Sequence, residues 1–290
     1  MTIARPAVNV VEKNPYTPRP FVFSEVAVCL RDSIRAAGYP SEHLLNRIDP
    51  AAFSIILGGT PAFQQELAHM EPGRCAIFNF EQLGSNSGMA TPAYRRWLAD
   101  WLVLDYHGSN VAMLKRENGG RQIAFELPVV PSGNLVVSGP EAKDIDVLFY
   151  GTMSERRVKL LREIADLGLK VGAVAGSYGI ELVPAVRRAK TVLHVHFYET
   201  RLFPTARVLQ PLAMGVPIVC ETSVFTGLND WSRSGIVFAD YEHLPRTCAE
   251  LLASPDRGAS RAKMAREFAL QLDFATPFRE VVRAFEDRVA

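Results

Sequence analysis

"DIDVLFYGTMSERR", Asp144 to Arg157, decides the fold of this chain. The apolar run from Asp146 to Tyr150 has the length of a buried strand and ends on a glycine, Gly151. Thr152 and Glu155, three residues apart, have the spacing of a capping box, so a helix is expected from Met153 to Leu167, closed by Gly168. Strand, glycine turn and capped helix make half of a βαβ unit, and such a unit needs a parallel strand after the helix. Leu169–Ala175 supplies it.

The same alternation continues in both directions. Toward the C-terminus, Glu181–Lys190 has a helical pattern, Thr191–Phe197 a strand pattern, Ala206–Met214 a short helical one, and Pro217–Cys220 and Gly235–Phe238 strand patterns. Two helices, Arg257–Gln271 and Pro277–Val289, follow. Toward the N-terminus, "PVVPSGNLVVSGPEAK", Pro128 to Lys143, has linker chemistry. Before it, strands are expected at Asn9–Glu12, Phe53–Leu57, Cys75–Phe80, Leu102–Asp105 and Gln122–Phe125. Helices are expected at Ser24–Ala37 with Ser24 as cap, near Pro61–His69, at Thr91–Ala99 and at Asn110–Lys115. The expectation is an α/β chain of two Rossmann-like domains facing across a cleft, with the last helices near the seam. Its parts are an N-terminal domain, residues 1–130, a linker, 131–143, a second domain, 144–272, and a helix, 273–290, crossing back to the first domain.

Composition narrows the function classes. The chain has 290 residues, 48% of them hydrophobic, with 32 basic and 31 acidic side chains. Two domains with real cores fit that length. The near-zero balance argues against a dedicated nucleic-acid binder, so no nucleic-acid partner is expected. Cys29, Cys75, Cys220 and Cys248 form no CxxC or Cys/His pair and imply buried thiols in a reducing, cytoplasmic setting. The N-terminus lacks the apolar stretch of a signal peptide, and no run reaches the ~20 residues of a membrane span. "YRRWLADWLVL", Tyr94 to Leu104, could rest on an anionic membrane, but Trp97 and Trp101 at helical spacing fit a core face better. Membrane contact is at most peripheral.

Cations sit where they are disfavoured. Arg156 and Arg157 lie near the first turn of the helix after Gly151, the positive end of its dipole. With Thr205 as cap, Arg207 has the same position in the next short helix, which Pro211 should kink. An anion held by helix amides at the carboxyl edge of the sheet would reconcile these positions. The plain alternative is that the arginines are solvated or paired with nearby carboxylates. "AGSYGIE", Ala175 to Glu181, is another strand-to-helix turn, with glycines that permit close backbone approach. His194 and His196 share a strand face with Glu199 just beyond. No third ligand pattern accompanies them, so they read as core histidines, and no metal is expected.

"DIDVLFYGTMSERR" and "AKTVLHVHFYETRLFPTARVLQPLAMGVPIVCE", with the spacing between them, resemble the donor-nucleotide domain of GT-B glycosyltransferases. The resemblance is to the spore-maturation-type branch of the sugar-nucleotide family that includes glycogen and sucrose synthases. It covers Asp144 to Ser223. "AIFNFEQLG" (Ala76–Gly84) and "VLDYHGSN" (Val103–Asn110) look like acceptor-domain segments of bacterial and viral members. The resemblance implies hexosyl or related transfer from a nucleoside diphosphate sugar, without metal or other cofactor, in polysaccharide or glycan biosynthesis. The acceptor would be a glycan, lipid or protein. It implies that Gly151, Ser154, Arg156, Arg157 and Arg207 lie about the diphosphate. Ser177, Tyr178 and Gly179 would approach the base, and Glu199 and Gln210 would flank ribose and sugar. The chain departs from the family at Gln210, where retaining members carry the second Glu of a Glu-x7-Glu motif; eight residues earlier stands Leu202. An inverting reaction needs a base from the first domain, and Glu81, Asp105 and His107 are the candidates, Glu81 foremost. The rival reading is a non-catalytic GT-B-like module that binds a nucleotide sugar or a protein.

Overall fold

The structure, a computed structural model, describes residues 5–13, 22–60, 71–137, 142–226, 228 and 230–290. The helix expected near Pro61–His69 lies outside the described residues. The chain divides into two compact units, one of residues 1–130, 226–229 and 272–290, the other of 131–225 and 230–271.

The first unit holds strands β1 (Val8–Glu12), β2 (His43–Leu45), β3 (Phe53–Leu57), β4 (Cys75–Asn79), β5 (Leu102–Asp105) and β6 (Ala124–Glu126). They form one sheet in the order β2-β1-β3-β4-β5-β6, every pairing parallel. β1, β3 and β4 are buried along their whole length, which is why their sequences are continuous apolar runs rather than alternating ones. Trp97 and Trp101 lie side by side in this core, 6% and 7% exposed, so neither indole is available to a bilayer. The last helix, Ala275–Val289, buries Phe278, Val281, Val282 and Phe285, and Phe285 stacks on Phe53.

The second unit holds β7 (Ile145–Tyr150), β8 (Val171–Val174), β9 (Ala189–His194), β10 (Ile218–Glu221) and β11 (Val237–Ala239). Their order is β11-β10-β9-β7-β8, again all parallel. Helices Glu155–Asp166 and Leu244–Leu252 cover one face through Leu160, Leu161, Ile164, Leu244, Cys248 and Leu251. In both sheets the winding reverses beside the first strand, between β1 and β3 and between β7 and β9. That reversal opens a crevice at the carboxyl ends of the strands, the usual ligand position in open α/β sheets.

Two caps differ from expectation. Ser24 lies inside its helix, Ser24–Ala36, and the Glu12 carboxylate does the capping, accepting from the Phe23 amide at 3.0 Å and the Ser24 hydroxyl at 2.9 Å. Thr152 is left out of the helix it was expected to cap; Ser154 is the cap, accepting from the Arg157 amide, and the helix begins at Glu155.

Candidate functional site

Gly151 begins the crevice of the second unit. Its φ of 134° lies in the left-handed region, and a Cβ there would stand 2.5 Å from Nη1 of Arg207. The backbone therefore requires glycine, and a side chain there would also push aside the guanidinium beside it. Arg207 Nη1 donates to the Tyr150 carbonyl at 3.1 Å, while the Tyr150 hydroxyl donates to the Arg207 carbonyl. Pro211 explains the second bond. It sits inside helix Thr205–Ala213 and has no N–H to offer the carbonyl four residues back, which is that of Arg207. Tyr150 fills the gap. The helix thus starts at Thr205, not capped by it, and carries its proline without losing the bond.

Arg157 is 2% exposed. Its Nε and Nη2 donate to the Val195 carbonyl at 3.1 and 2.5 Å, and Nη1 donates to the Thr152 carbonyl at 2.6 Å. One guanidinium therefore ties the turn after β7 to the turn after β9 across the switch point. Burial, with Arg207 and Arg156 nearby, brings its pKa down to about 10. Among the described residues neither Arg157 nor Arg207 pairs with a carboxylate. Arg156 does: it takes both oxygens of Glu221 and lies over the Tyr241 ring, 3.8 Å from its centroid. Burial raises the Glu221 carboxyl, but the bonds from Arg156 and the His196 amide hold it, on balance, below its ordinary value. His196 is committed as well, its Nε2 2.9 Å from the Ser223 hydroxyl.

The remaining expected residues do not gather at one point. Glu199 and Arg156 line a hollow of about 320 Å³ with His196, Phe197, Tyr198, Arg201 and Glu221. Ser154 lies along a separate groove on the flank of its helix, with Met153 and Arg162. Ser177, Tyr178 and Gly179 form the turn after β8, closed by the Glu181 carboxylate on the Tyr178 amide. Gln210 is 3% exposed, and its Nε2 donates to the Leu135 carbonyl at 2.8 Å. It pins the linker rather than presenting an amide to the crevice.

In the first unit, Glu81 follows β4 and is partly exposed. Burial raises its pKa, against a hydrogen bond from Ser87, which moves a carboxylate toward the range of a useful general base. Asp105, at the end of β5, is fully buried. It accepts from Asn79 Nδ2 at 2.6 Å, the His107 amide at 2.8 Å and Asn110 Nδ2 at 3.1 Å. Asn79 and Asn110 in turn donate to the Glu81 carbonyl at 2.9 Å. Asp105 thus anchors the loop that carries Glu81, and burial pushes its carboxyl well up. His107 is 1% exposed and caps helix Gly108–Glu117 through Nδ1. Of the three base candidates only Glu81 meets solvent.

No protein-family model matches the chain. A 114-residue stretch is 32% identical to an uncharacterized protein of Acanthamoeba polyphaga mimivirus, covering 38% of this chain and 13% of that protein. Among solved structures, HepE of Anabaena in complex with UDP and glucose matches at TM-score 0.60 and 12% identity, over 96% of this chain and 99% of that one. TarM matches at TM-score 0.58 and 11% identity, over 90% of this chain and 58% of that one. An alpha-glucosyltransferase in complex with UDP and a DNA 13-mer matches at TM-score 0.56 and 8% identity, over 97% and 100%. The fold is that of the GT-B glycosyltransferases. Among the described residues no helix is long and apolar enough to cross a membrane.

Proposed function

We propose that the protein is a glycosyltransferase that moves a sugar from a nucleoside diphosphate donor bound at the β7–β9 crevice, of the spore-maturation type that the motifs resemble. One observation carries this reading: among the described residues, the guanidiniums of Arg157 and Arg207 stand at the switch point bonded to backbone carbonyls and paired with no carboxylate. Two guanidiniums preset against backbone carbonyls are suited to a leaving diphosphate, whose charge grows as the glycosidic bond breaks. They take the place of a metal ion, which this reading does not require. Glu81 takes the acceptor's proton. The acceptor is a glycan, lipid or protein.

Thermal-shift measurement against UDP, GDP, ADP, dTDP and CDP, with and without EDTA, tests the proposal. One nucleotide should raise Tm equally in both conditions. No shift with any of them refutes it. The non-catalytic reading draws on Gln210, whose amide is spent on Leu135 where family members hold a carboxylate. Release of the nucleoside diphosphate from its sugar conjugate separates the two: a binding module shifts Tm and releases nothing.

A further inference from the structure

His194 ends β9, and its Nε2 is buried without a hydrogen-bond partner. The residue is 7% exposed and Nε2 itself is buried, so the empty nitrogen is not explained by access to solvent. An unsatisfied buried polar atom of this kind carries an uncompensated desolvation cost and calls for a reason. Its surroundings supply one. Val192, two residues earlier, packs with Leu148 and Tyr150 on one face of the sheet, and strand alternation puts His194 on that same face. The register pairs Leu193 with Phe149, which sets His194 level with Tyr150, the residue that holds Arg207. On the helix that carries Arg207, the Thr205 hydroxyl is a second buried group without a partner. Among the described residues the charges that bear on His194 are those of His196, Arg207 and Arg157, and Tyr150 and the Cys220 thiol lie beside it on the neighbouring strands.

We infer that His194 is a ligand-contacting residue of the donor site: Nε2–H donates to an oxygen of the nucleoside diphosphate, alongside Arg207, and the Thr205 hydroxyl donates to the same group. This rests on the proposed function. It adds neutral donors, set deep against the sheet, to the two cations. Burial and the adjacent cations keep the imidazole neutral, so it contributes a hydrogen bond and no further repulsion between like charges.

The experiment is UDP titration by calorimetry of the wild type, His194→Phe, His194→Gln and Thr205→Val, with ¹⁵N-imidazole spectra of the wild type. His194→Phe should weaken UDP binding about tenfold or more, and Thr205→Val about threefold or more, as expected for lost bonds to a charged group. His194→Gln, which returns an N–H donor, should recover most of the loss. The Nε2 resonance should move in step with UDP saturation. If His194→Phe does not fold, Thr205→Val and the wild-type spectra decide. Wild-type binding that is unchanged in His194→Phe or Thr205→Val, with an unmoved Nε2 resonance, overturns this inference and leaves the proposed function standing. A wild type that binds none of UDP, GDP, ADP, dTDP and CDP overturns both, and if one of the other four binds in place of UDP the same titrations are made with it.

Discussion

The two sheets wind in the same sense, and their carboxyl edges carry different chemistry. Glu12, Glu81, Asp105 and Glu126 gather at the edge of the first, where asparagines and hydroxyls donate to them. Arg156, Arg157, Arg207 and two histidines gather at the edge of the second, where Glu221 neutralises Arg156 alone. Position comes from the fold and is shared; the kind of ligand comes from the side chains placed there. An acidic edge can accept a proton from a hydroxyl, and a basic edge can hold an anion. The proposed function assigns the proton transfer to the first edge and the diphosphate to the second.

Substitutions can break this contrast from either side. Under the proposed function the largest effect is expected from Glu81→Gln, which should lower transfer about 10²–10⁴-fold while leaving nucleoside diphosphate affinity unchanged, because a general base acts on rate. Steady-state kinetics beside calorimetry would show the split, and loss of affinity would contradict it. Arg207→Ala should do the reverse, costing about 1.5–3 kcal/mol of nucleoside diphosphate binding energy. Asp105→Asn should lower stability to chemical denaturation by about 1–3 kcal/mol. The new amide nitrogen would face the donor Asn79 in one orientation and the donors Asn110 and the His107 amide in the other, and Asn79 cannot flip because its Oδ1 already accepts from Tyr94 and the Glu81 amide. Gly151→Ala should cost a similar or smaller amount and displace Arg207, so that nucleoside diphosphate affinity falls with stability.

The smallest effects sharpen the comparison through pH. Glu81 has its folded-state pKa raised, so its contribution to stability is present below the ordinary value of 4.5 and is lost as pH rises through the folded value. Glu221 has its folded-state pKa lowered, so its contribution is present above 4.5 and is lost as pH falls through the folded value. Tm followed against pH should lose these two limbs separately in Glu81→Gln and Glu221→Gln. Identical profiles in the two variants would contradict the contrast.

Much of the architecture is legible in the sequence because buried parallel strands are written as unbroken apolar runs, as in Phe53–Leu57 and Ile145–Tyr150. β2 is not, since it is three residues long, lies on the sheet edge and is not buried. Helix Leu244–Leu252 is obscured by Pro245, which reads as a breaker but occupies the first turn, where its missing N–H costs nothing. Arg157 and Arg207 announce themselves by standing at the wrong end of a dipole. Their partners do not: that Arg156 belongs to Glu221, sixty-five residues away, and Arg157 to Val195, depends on register between strands. His194 has no local signal beyond a His-x-His pair, because an unsatisfied atom is a property of surroundings that a single sequence does not display.

The proline within helix Thr205–Ala213 has a dynamic consequence. The vacant carbonyl it leaves on Arg207 is what lets Tyr150 grip that residue from both its backbone and its side chain. An arginine on an open surface surrenders much rotamer freedom when it closes on a ligand. Here that freedom is given up during folding, and under the proposed function the guanidinium would meet an arriving diphosphate already stationary. In a Pro211→Ala chain the restored amide would compete for the carbonyl, Tyr150 would lose half its hold, and the arginine would have to be stilled by each ligand in turn.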